Sequence, residues 1–545
     1  MAAGNNDTKK TFFSGVLLLS LSTVLVKVIG LIYKIPMLAY LGSVGMGYFN
    51  SAYEIYALFC VISTAGLPVA LSVLISAALA KGDGARVGRI WRAALYVFLL
   101  IGILGSGVMW LFAKHFCHLI RSENAYACIL SISPTVLFVC VSSALRGYFQ
   151  GYQRMLPTAL SQIIESAGKL VFGLLLARFA LERGYDTPAV AAFAGIGLTL
   201  GTALSTLYLF VEKLRFHPVE EEGKHSSSFP EASYRSIWKG LASLSVPMTL
   251  GASLVSLTKL IDMTMILRRL QSIGYTEALA NEAYGSYTTL ALSVFGLIPA
   301  LVNSVALPLV PMLSAAIAAG DRSRQEQMVR ASYHLTSLFA IPAALGITAF
   351  SRPILSLLFS HDAEAVAIAA PLLSYLGISV FLSCMITATN SVLHAYRVVN
   401  RPILAMVAGA AVKIAVAYLL IGNPRIAMIG APVSTLFCNA TIVLLNLNFS
   451  ARLCKMPSVS EVFSRPLLAA VLSIGLSLTV YLSIAQHFGE GGILTLGALA
   501  LAAVSYLILS CLLGAFRPED ICALPMGETL YRLLRFLRLF PAEKQ

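Results

Sequence analysis

Apolar runs long enough to cross a bilayer recur fourteen times in this chain. They lie at roughly residues 12–35, 47–79, 92–113, 126–145, 158–179, 188–211, 240–262, 284–317, 332–351, 365–393, 402–422, 426–449, 466–486 and 492–515. A transmembrane helix needs about 20 consecutive apolar residues. No other sequence feature restricts the fold as hard, because in lipid every backbone amide must find its partner within the protein, which for runs of this length means a helix. The second and eighth runs exceed one straight crossing and contain Gly66-Leu67-Pro68 and Pro299, Pro308 and Pro311, so kinked or interrupted spans are expected there. Composition agrees: 58% of residues are hydrophobic and 12% charged, with a mean hydropathy of +0.82. A soluble domain of this length needs a charged surface that these residues do not supply. The expectation is an all-α polytopic membrane protein with about 14 transmembrane helices. The first run follows Lys9 and Lys10 and continues without a small-residue cleavage site, so it reads as a retained span and not as a secretory signal peptide.

Basic residues orient the spans, since Lys and Arg in short loops stay on the cytoplasmic side. With the N-terminus inside, 26 of the 39 Lys and Arg fall in cytoplasmic segments and 9 in external loops, leaving Lys27, Lys169, Lys259 and Lys413 within spans. Both termini are therefore expected in the cytoplasm of a multi-pass cell-membrane protein. The net charge of +14 is mostly this topology signal. No basic surface is interleaved with aromatics as a nucleic-acid groove would be, so no nucleic-acid partner is expected. The 9 cysteines sit mostly in apolar segments without CxxC pairs or Cys/His ligand spacing, which argues for packing residues and no metal site.

The two halves repeat. SAALAKGD (76–83) returns as SAAIAAGD (314–321), six of eight identical, and the same offset of 238 carries Arg92-Ala93 onto Arg330-Ala331. Tyr152 and Lys169 match Tyr396 and Lys413 at an offset of 244, and Lys27 and Ile29 match Lys259 and Ile261 at 232. Three matches in order argue for two six-helix bundles in a parallel pseudo-two-fold repeat about an axis normal to the membrane, plus two extra C-terminal helices. The division reads as an N-terminal lobe (1–212), a polar linker (213–238), a C-terminal lobe (239–450), the extra helices (451–515) and a basic tail (516–545). In that tail Arg532, Arg535 and Arg538 share one helical face and Leu530, Leu533, Leu534, Leu537 and Phe540 another, as in a helix lying on the inner leaflet.

At this point the residues resemble a known family. AGLPVALSVLISAALAKGD (65–83), closely following KVIGLIYKIPMLAYLG (27–42), is similar to the polysaccharide-flippase branch of the multidrug/oligosaccharidyl-lipid/polysaccharide (MOP) exporter superfamily. Within it the chain most resembles the stage V sporulation protein B (SpoVB)-like group, relatives of the lipid II flippase MurJ. The resemblance spans essentially the whole chain. It implies a MATE/MurJ-like fold and alternating access, with an undecaprenyl-diphosphate-linked sugar, a peptidoglycan precursor or polysaccharide repeat unit, carried from the inner to the outer leaflet. Where the Gram-negative lipid II flippases carry cavity arginines in the first helix, this chain has Lys27 and Tyr33, and it has no match to their second-helix arginines around Glu54 to Phe59.

Intramembrane ionisable groups must carry the chemistry, because a charge at the bilayer centre costs several kcal/mol unless it faces a wet cavity or a partner. Lys27, Lys259, Lys169 and Lys413 are the candidate substrate-binding residues, and Glu54, Glu165 and Asp262 the candidate cavity carboxylates or ion-coupling groups. Glu165 and Lys169 lie four apart and Lys259 and Asp262 three apart, so each pair can meet on one helical face. Such a pair either neutralises itself or, in the case of Lys169 and Glu165, binds a substrate phosphate and releases it. Lys413 has no carboxylate three or four positions away. Lys27 also lacks one, and similar depth below the outer surface suggests Glu54 as its partner. Lys34 reads as a helix-end lysine that reaches the headgroups.

The chain carries neither a GxxxxGK[ST] loop nor HExxH, and no paired-histidine metal site, so catalytic residues and cofactors are expected to be absent. With no ATP site, the driving force falls to membrane potential, consumption of the flipped product, or Na+ or H+ coupling. The reading is a transporter, monomeric, with a lipid-linked glycan and membrane lipids as its partners. A cation-coupled multidrug exporter of the same superfamily is the alternative.

Overall fold

The computed structural model describes residues 3–216, 234–306, 309–398, 400–489 and 491–516. The central part of the expected linker and all of the basic tail beyond Phe516, with Arg532, Arg535 and Arg538, lie outside the described residues. The described residues form α-helices joined by short turns, with no strand among them. They divide into two compact units, Met1–Gly285 and Ser286–Gln545.

The first unit holds α1 (Ala3–Thr64), α2 (Leu67–Ala80), α3 (Gly84–Leu111), α4 (Ala113–Ile120), α5 (Tyr126–Ile132), α6 (Thr135–Gly151), α7 (Leu156–Glu182), α8 (Thr187–Arg215), α9 (Tyr234–Ser272) and α10 (Glu277–Ser286), whose last residue opens the second unit. Straight, the 62 residues of α1 would reach about 93 Å at 1.5 Å per residue, three times the roughly 30 Å hydrocarbon core. The chain instead turns at Gly42, where φ is 64° and ψ 175°, a conformation open to glycine and strained for any side chain. The rings of Tyr33 and Phe49, on opposite sides of that turn, lie 6.4 Å apart.

α7 and α8 meet backbone to backbone. A Cβ on Gly197 would stand 2.3 Å from Gly173 Cα, and one on Gly201 would stand 2.4 Å from the Lys169 amide nitrogen. Small residues permit such close approach between helices that gain nothing from excluding lipid. The unit boundary at Gly285 lies well beyond the expected linker (213–238), because α9 packs on α1, α2 and α3.

The second unit holds α11 (Leu292–Ala306), α12 (Leu309–Ala318), α13 (Arg322–Ala349), α14 (Ser351–Leu358), α15 (Ala363–Ala395), α16 (Asn400–Ile421), α17 (Gly430–Ala451), α18 (Arg465–Phe488) and α19 (Gly492–Leu512). The extra pair, α18 and α19, joins α13 in a core that includes Leu338, Phe350, Tyr481 and Tyr506. The Tyr506 hydroxyl donates to the Leu338 carbonyl at 2.7 Å, giving a buried phenol the partner it requires.

Each offset found in the sequence marks a repeated backbone event. At 238, Asp83 caps α3 and Asp321 caps α13, accepting from the Arg86 and Arg324 amides at 2.8 and 3.0 Å. At 244, Gln153 and Arg397 both take positive φ, 58° and 61°. At 232, Gly42 and Gly274 do the same, at 64° and 104°. By length and composition 10 of the described helical stretches can cross a membrane, or 11 if α13 and α14, bent by 80°, form one broken span. The first stretch, Leu25–Ala80, has 56 residues, enough for two crossings.

Candidate functional site

The polar interior of the first unit is built around α7. The tight α7–α8 seam brings Ser205 beside Ser161, where its hydroxyl donates to the Ser161 carbonyl at 2.8 Å. Arg146 reaches this point from α6. Its Nη2 donates to Glu165 Oε2 at 2.7 Å and to Ser205 Oγ at 3.4 Å, and its Nε donates to Ser161 Oγ at 2.9 Å. The guanidinium fork is thus satisfied by one carboxylate and two hydroxyls, as a charge held among apolar helices must be.

Sequence reasoning set Glu165 against Lys169, but the structure gives Glu165 to Arg146. Arg146 was missed because the apolar window closes at residue 145, whereas α6 runs on to Gly151 and carries it inside. The Lys169 ammonium lies over three rings of α1, 4.7 Å from the centroid of Tyr53, 5.2 Å from Tyr33 and 5.8 Å from Phe49. Ring faces attract a cation without neutralising it, so this contact leaves the ammonium free to meet an anion. Glu165 remains within its electrostatic reach.

Lys34 is the second residue that the sequence reading misplaced. Because α1 continues to Gly42, Lys34 is no helix-end lysine. It is half-buried and interacts electrostatically with Lys169, Glu54 and Lys259. The expected Lys27–Glu54 pair is absent among the described residues, and Glu54 acts instead on Lys34. The available signal was spacing, as Lys34 follows Lys27 by two helical turns.

Lys27 itself is exposed, and among the described residues it forms no ion pair. Its direction is informative. Leu25, Val28 and Ile32 are exposed on one side of α1. At about 100° per residue Lys27 and Lys34 point some 160–180° away from Leu25, on the side where Met37 and Leu41 are buried further along. Thr23, Lys27, Gly30 and Lys34 thus form one stripe opposite the apolar one.

On α9, Lys259 is exposed next to buried Leu260, and Asp262 is half-buried. Lys413, in α16 of the second unit, is half-buried. The first unit therefore brings together Lys34, Lys169, Lys259 and Glu54, adjoining the Arg146–Glu165 pair. In this set four cations (Lys34, Lys169, Lys259, Arg146) stand with two carboxylates (Glu54, Glu165), an excess of positive charge that suits an anion. No group of three His, Cys, Asp or Glu side chains fit to hold a metal occurs among the described residues.

Comparison with known proteins places these features. The family model described as "Polysaccharide biosynthesis protein" matches residues 12–317, and the MatE model matches residues 247–419. Stage V sporulation protein B of Bacillus subtilis (strain 168) is 23% identical over 535 residues, 96% of this chain and 100% of that protein. The lipid II flippase MurJ of the same organism is 23% identical over 413 residues, 73% of this chain and 75% of that protein. Among solved structures, the lipid II flippase MurJ in an inward closed conformation aligns with a TM-score of 0.68 at 17% identity, covering 91% of this chain and 98% of that one.

Proposed function

We propose that this chain, which belongs to the polysaccharide biosynthesis protein family of the MOP superfamily, is an alternating-access flippase for a lipid-linked glycan. The substrate in this reading is an undecaprenyl-diphosphate-linked sugar, a peptidoglycan precursor or polysaccharide repeat unit, moved from the inner to the outer leaflet. The observation that carries it is the lysine cluster of Lys34, Lys169 and Lys259 on membrane-embedded helices, with rings of Tyr33, Phe49 and Tyr53 beneath Lys169. A diphosphate is the anion such a cluster holds. Aromatic faces beside it suit a sugar ring, and Lys413 extends the same chemistry to the second unit.

The lipid tail requires an apolar surface. The second unit has an apolar groove of about 520 Å³ lined by Phe339, Pro342, Leu499, Ala503, Tyr506 and Leu507, and α18 and α19, which no helix of the first half matches, supply much of its wall. An oligoprenyl chain docked there would stay in an apolar medium while its headgroup crosses. Glu54, Glu165 and Asp262 are the groups at which Na+ or H+ coupling would act. In this reading the protein works as a monomer in the cell membrane with both termini in the cytoplasm.

A cation-coupled drug exporter is the second reading, favoured by the MatE match over residues 247–419. The excess of cations over carboxylates argues against it, because a cationic drug would be repelled. Complementation of a strain conditionally depleted of its lipid II flippase tests the proposal. Rescue identifies a peptidoglycan precursor as substrate, whereas failure to rescue by a correctly inserted protein excludes lipid II and leaves the other lipid-linked glycans.

A further inference from the structure

The two short helices α4 and α14 are repeat partners. They begin 238 residues apart, each has 8 residues, and each follows its long helix after a single phenylalanine, Phe112 or Phe350. Each carries a cation at its second position, Lys114 or Arg352. α14 is bent by 80° from α13. Where α13 crosses the bilayer, α14 therefore runs along the interface, at the level of lipid headgroups.

The surroundings of the two helices differ. Beside α14 the start of α19 closes a cavity of about 330 Å³, lined among others by Arg352, Ser356, Ser360, Tyr481, Gly492 and Thr495. A Cβ on Gly492 would stand 3.0 Å from Leu357 Cδ1, so the glycine lets α19 come this close to α14. α4 packs instead on α9, whose Gln271 amide donates to the Arg121 carbonyl at 2.6 Å, so the wall that α19 raises beside α14 comes from the extra helix pair alone.

Arg352 is exposed and, among the described residues, forms no ion pair. The neighbouring carboxylate of Asp362 is occupied as the cap of α15, accepting from the Ala365 amide at 2.9 Å, and Glu364 is exposed on the first turn of that helix. Ser356, Ser360 and Thr495 line the same cavity as the guanidinium, the Thr495 hydroxyl donating to the Gly491 carbonyl at 3.2 Å. A planar fork with hydroxyls beside it matches the oxygens of a phosphate ester.

We propose that this pocket binds the phosphate of an anionic membrane lipid, with Arg352 as its anchor and the wall from α19 providing the selectivity that α4 lacks. The same chemistry would accept free phosphate, and the test separates the two sources. Native mass spectrometry of the full-length protein, released from detergent, measures retention of phosphatidylglycerol, of diacylglycerol with the same tails, and of inorganic phosphate.

Arg352→Gln is expected to lose about tenfold in phosphatidylglycerol retention, the equivalent of one charge-assisted hydrogen bond, and Arg352→Lys to recover part of it. Lys114→Gln is expected to match wild type. If Arg352→Gln proves unstable, Ser356→Leu, which fills the pocket and keeps the charge, carries the same expected loss. Wild-type retention in both Arg352→Gln and Ser356→Leu, or an equal loss in Lys114→Gln, would overturn the proposal. Inorganic phosphate bound through Arg352 with no preference for phosphatidylglycerol over diacylglycerol would overturn the lipid assignment.

Discussion

Arg146 Nη2 and Glu165 Oε2 stand 2.7 Å apart, tying α6 to α7 inside the first unit. Their side chains are 14% and 25% exposed, buried enough that removing one strands the other among apolar helices. Arg146→Ala and Glu165→Ala should each lower the melting temperature of the purified protein. The double variant should lose less than the sum, with a coupling of about 0.5–3 kcal/mol. Strictly additive losses in thermal unfolding would show that the two side chains do not support each other.

The ring under Lys169 offers a finer test. Tyr53 is the ring nearest the ammonium, at 4.7 Å, and a cation over an aromatic face is stabilised by about 0.5–2 kcal/mol. Tyr53→Phe keeps the face and should leave the flipping rate close to wild type. Tyr53→Leu removes it, and the rate should fall several-fold. Equal rates for the two variants would mean that the ring does not position Lys169.

Lys34 separates a cavity lysine from a headgroup anchor. Its electrostatic partners are Lys169, Glu54 and Lys259, so Lys34→Gln should slow flipping about as much as Lys169→Gln while leaving membrane insertion intact. An anchor would behave the other way, with insertion or expression falling and the rate per inserted molecule unchanged.

The α7–α8 seam leaves no room for a methyl group. Gly197→Ala would place a Cβ 2.3 Å from Gly173 Cα, whereas a Cβ on Gly107 meets nothing within 4 Å. Overpacking of this kind costs about 1–3 kcal/mol, here against backbone that cannot swing aside. Size-exclusion profiles should show Gly197→Ala poorly folded and Gly107→Ala like wild type.

Much of the fold was legible because duplication leaves its mark on the residues that shape the backbone. Asp83 and Asp321, which gave the 238 offset in sequence, are the caps of α3 and α13. The lysine offset of 232 coincides with the turns at Gly42 and Gly274. The site was only half legible, and both omissions share a cause. An apolar window marks where hydropathy falls and not where a helix stops, so Arg146 fell just outside its span and Lys34 was read as the end of its own, yet α6 and α1 continue past them. A window cannot register that a charge is held by a residue from another helix, as Glu165 holds Arg146. Lys27 and Lys259 share a repeat position, but repetition does not reveal that Lys34 is the lysine within reach of Glu54.

The most direct test of the account is the rate at which the purified protein, reconstituted in liposomes, flips a fluorescent undecaprenyl-diphosphate-linked sugar. Wild type is expected to flip it, with Lys34→Gln, Lys169→Gln and Lys259→Gln each slowing the rate at least tenfold and Arg178→Gln, an exposed residue paired with Glu182, leaving it unchanged. Wild-type rates in all three lysine variants, or no flipping by a correctly folded wild-type protein, would contradict the assignment of this lysine cluster as the path of a lipid-linked glycan.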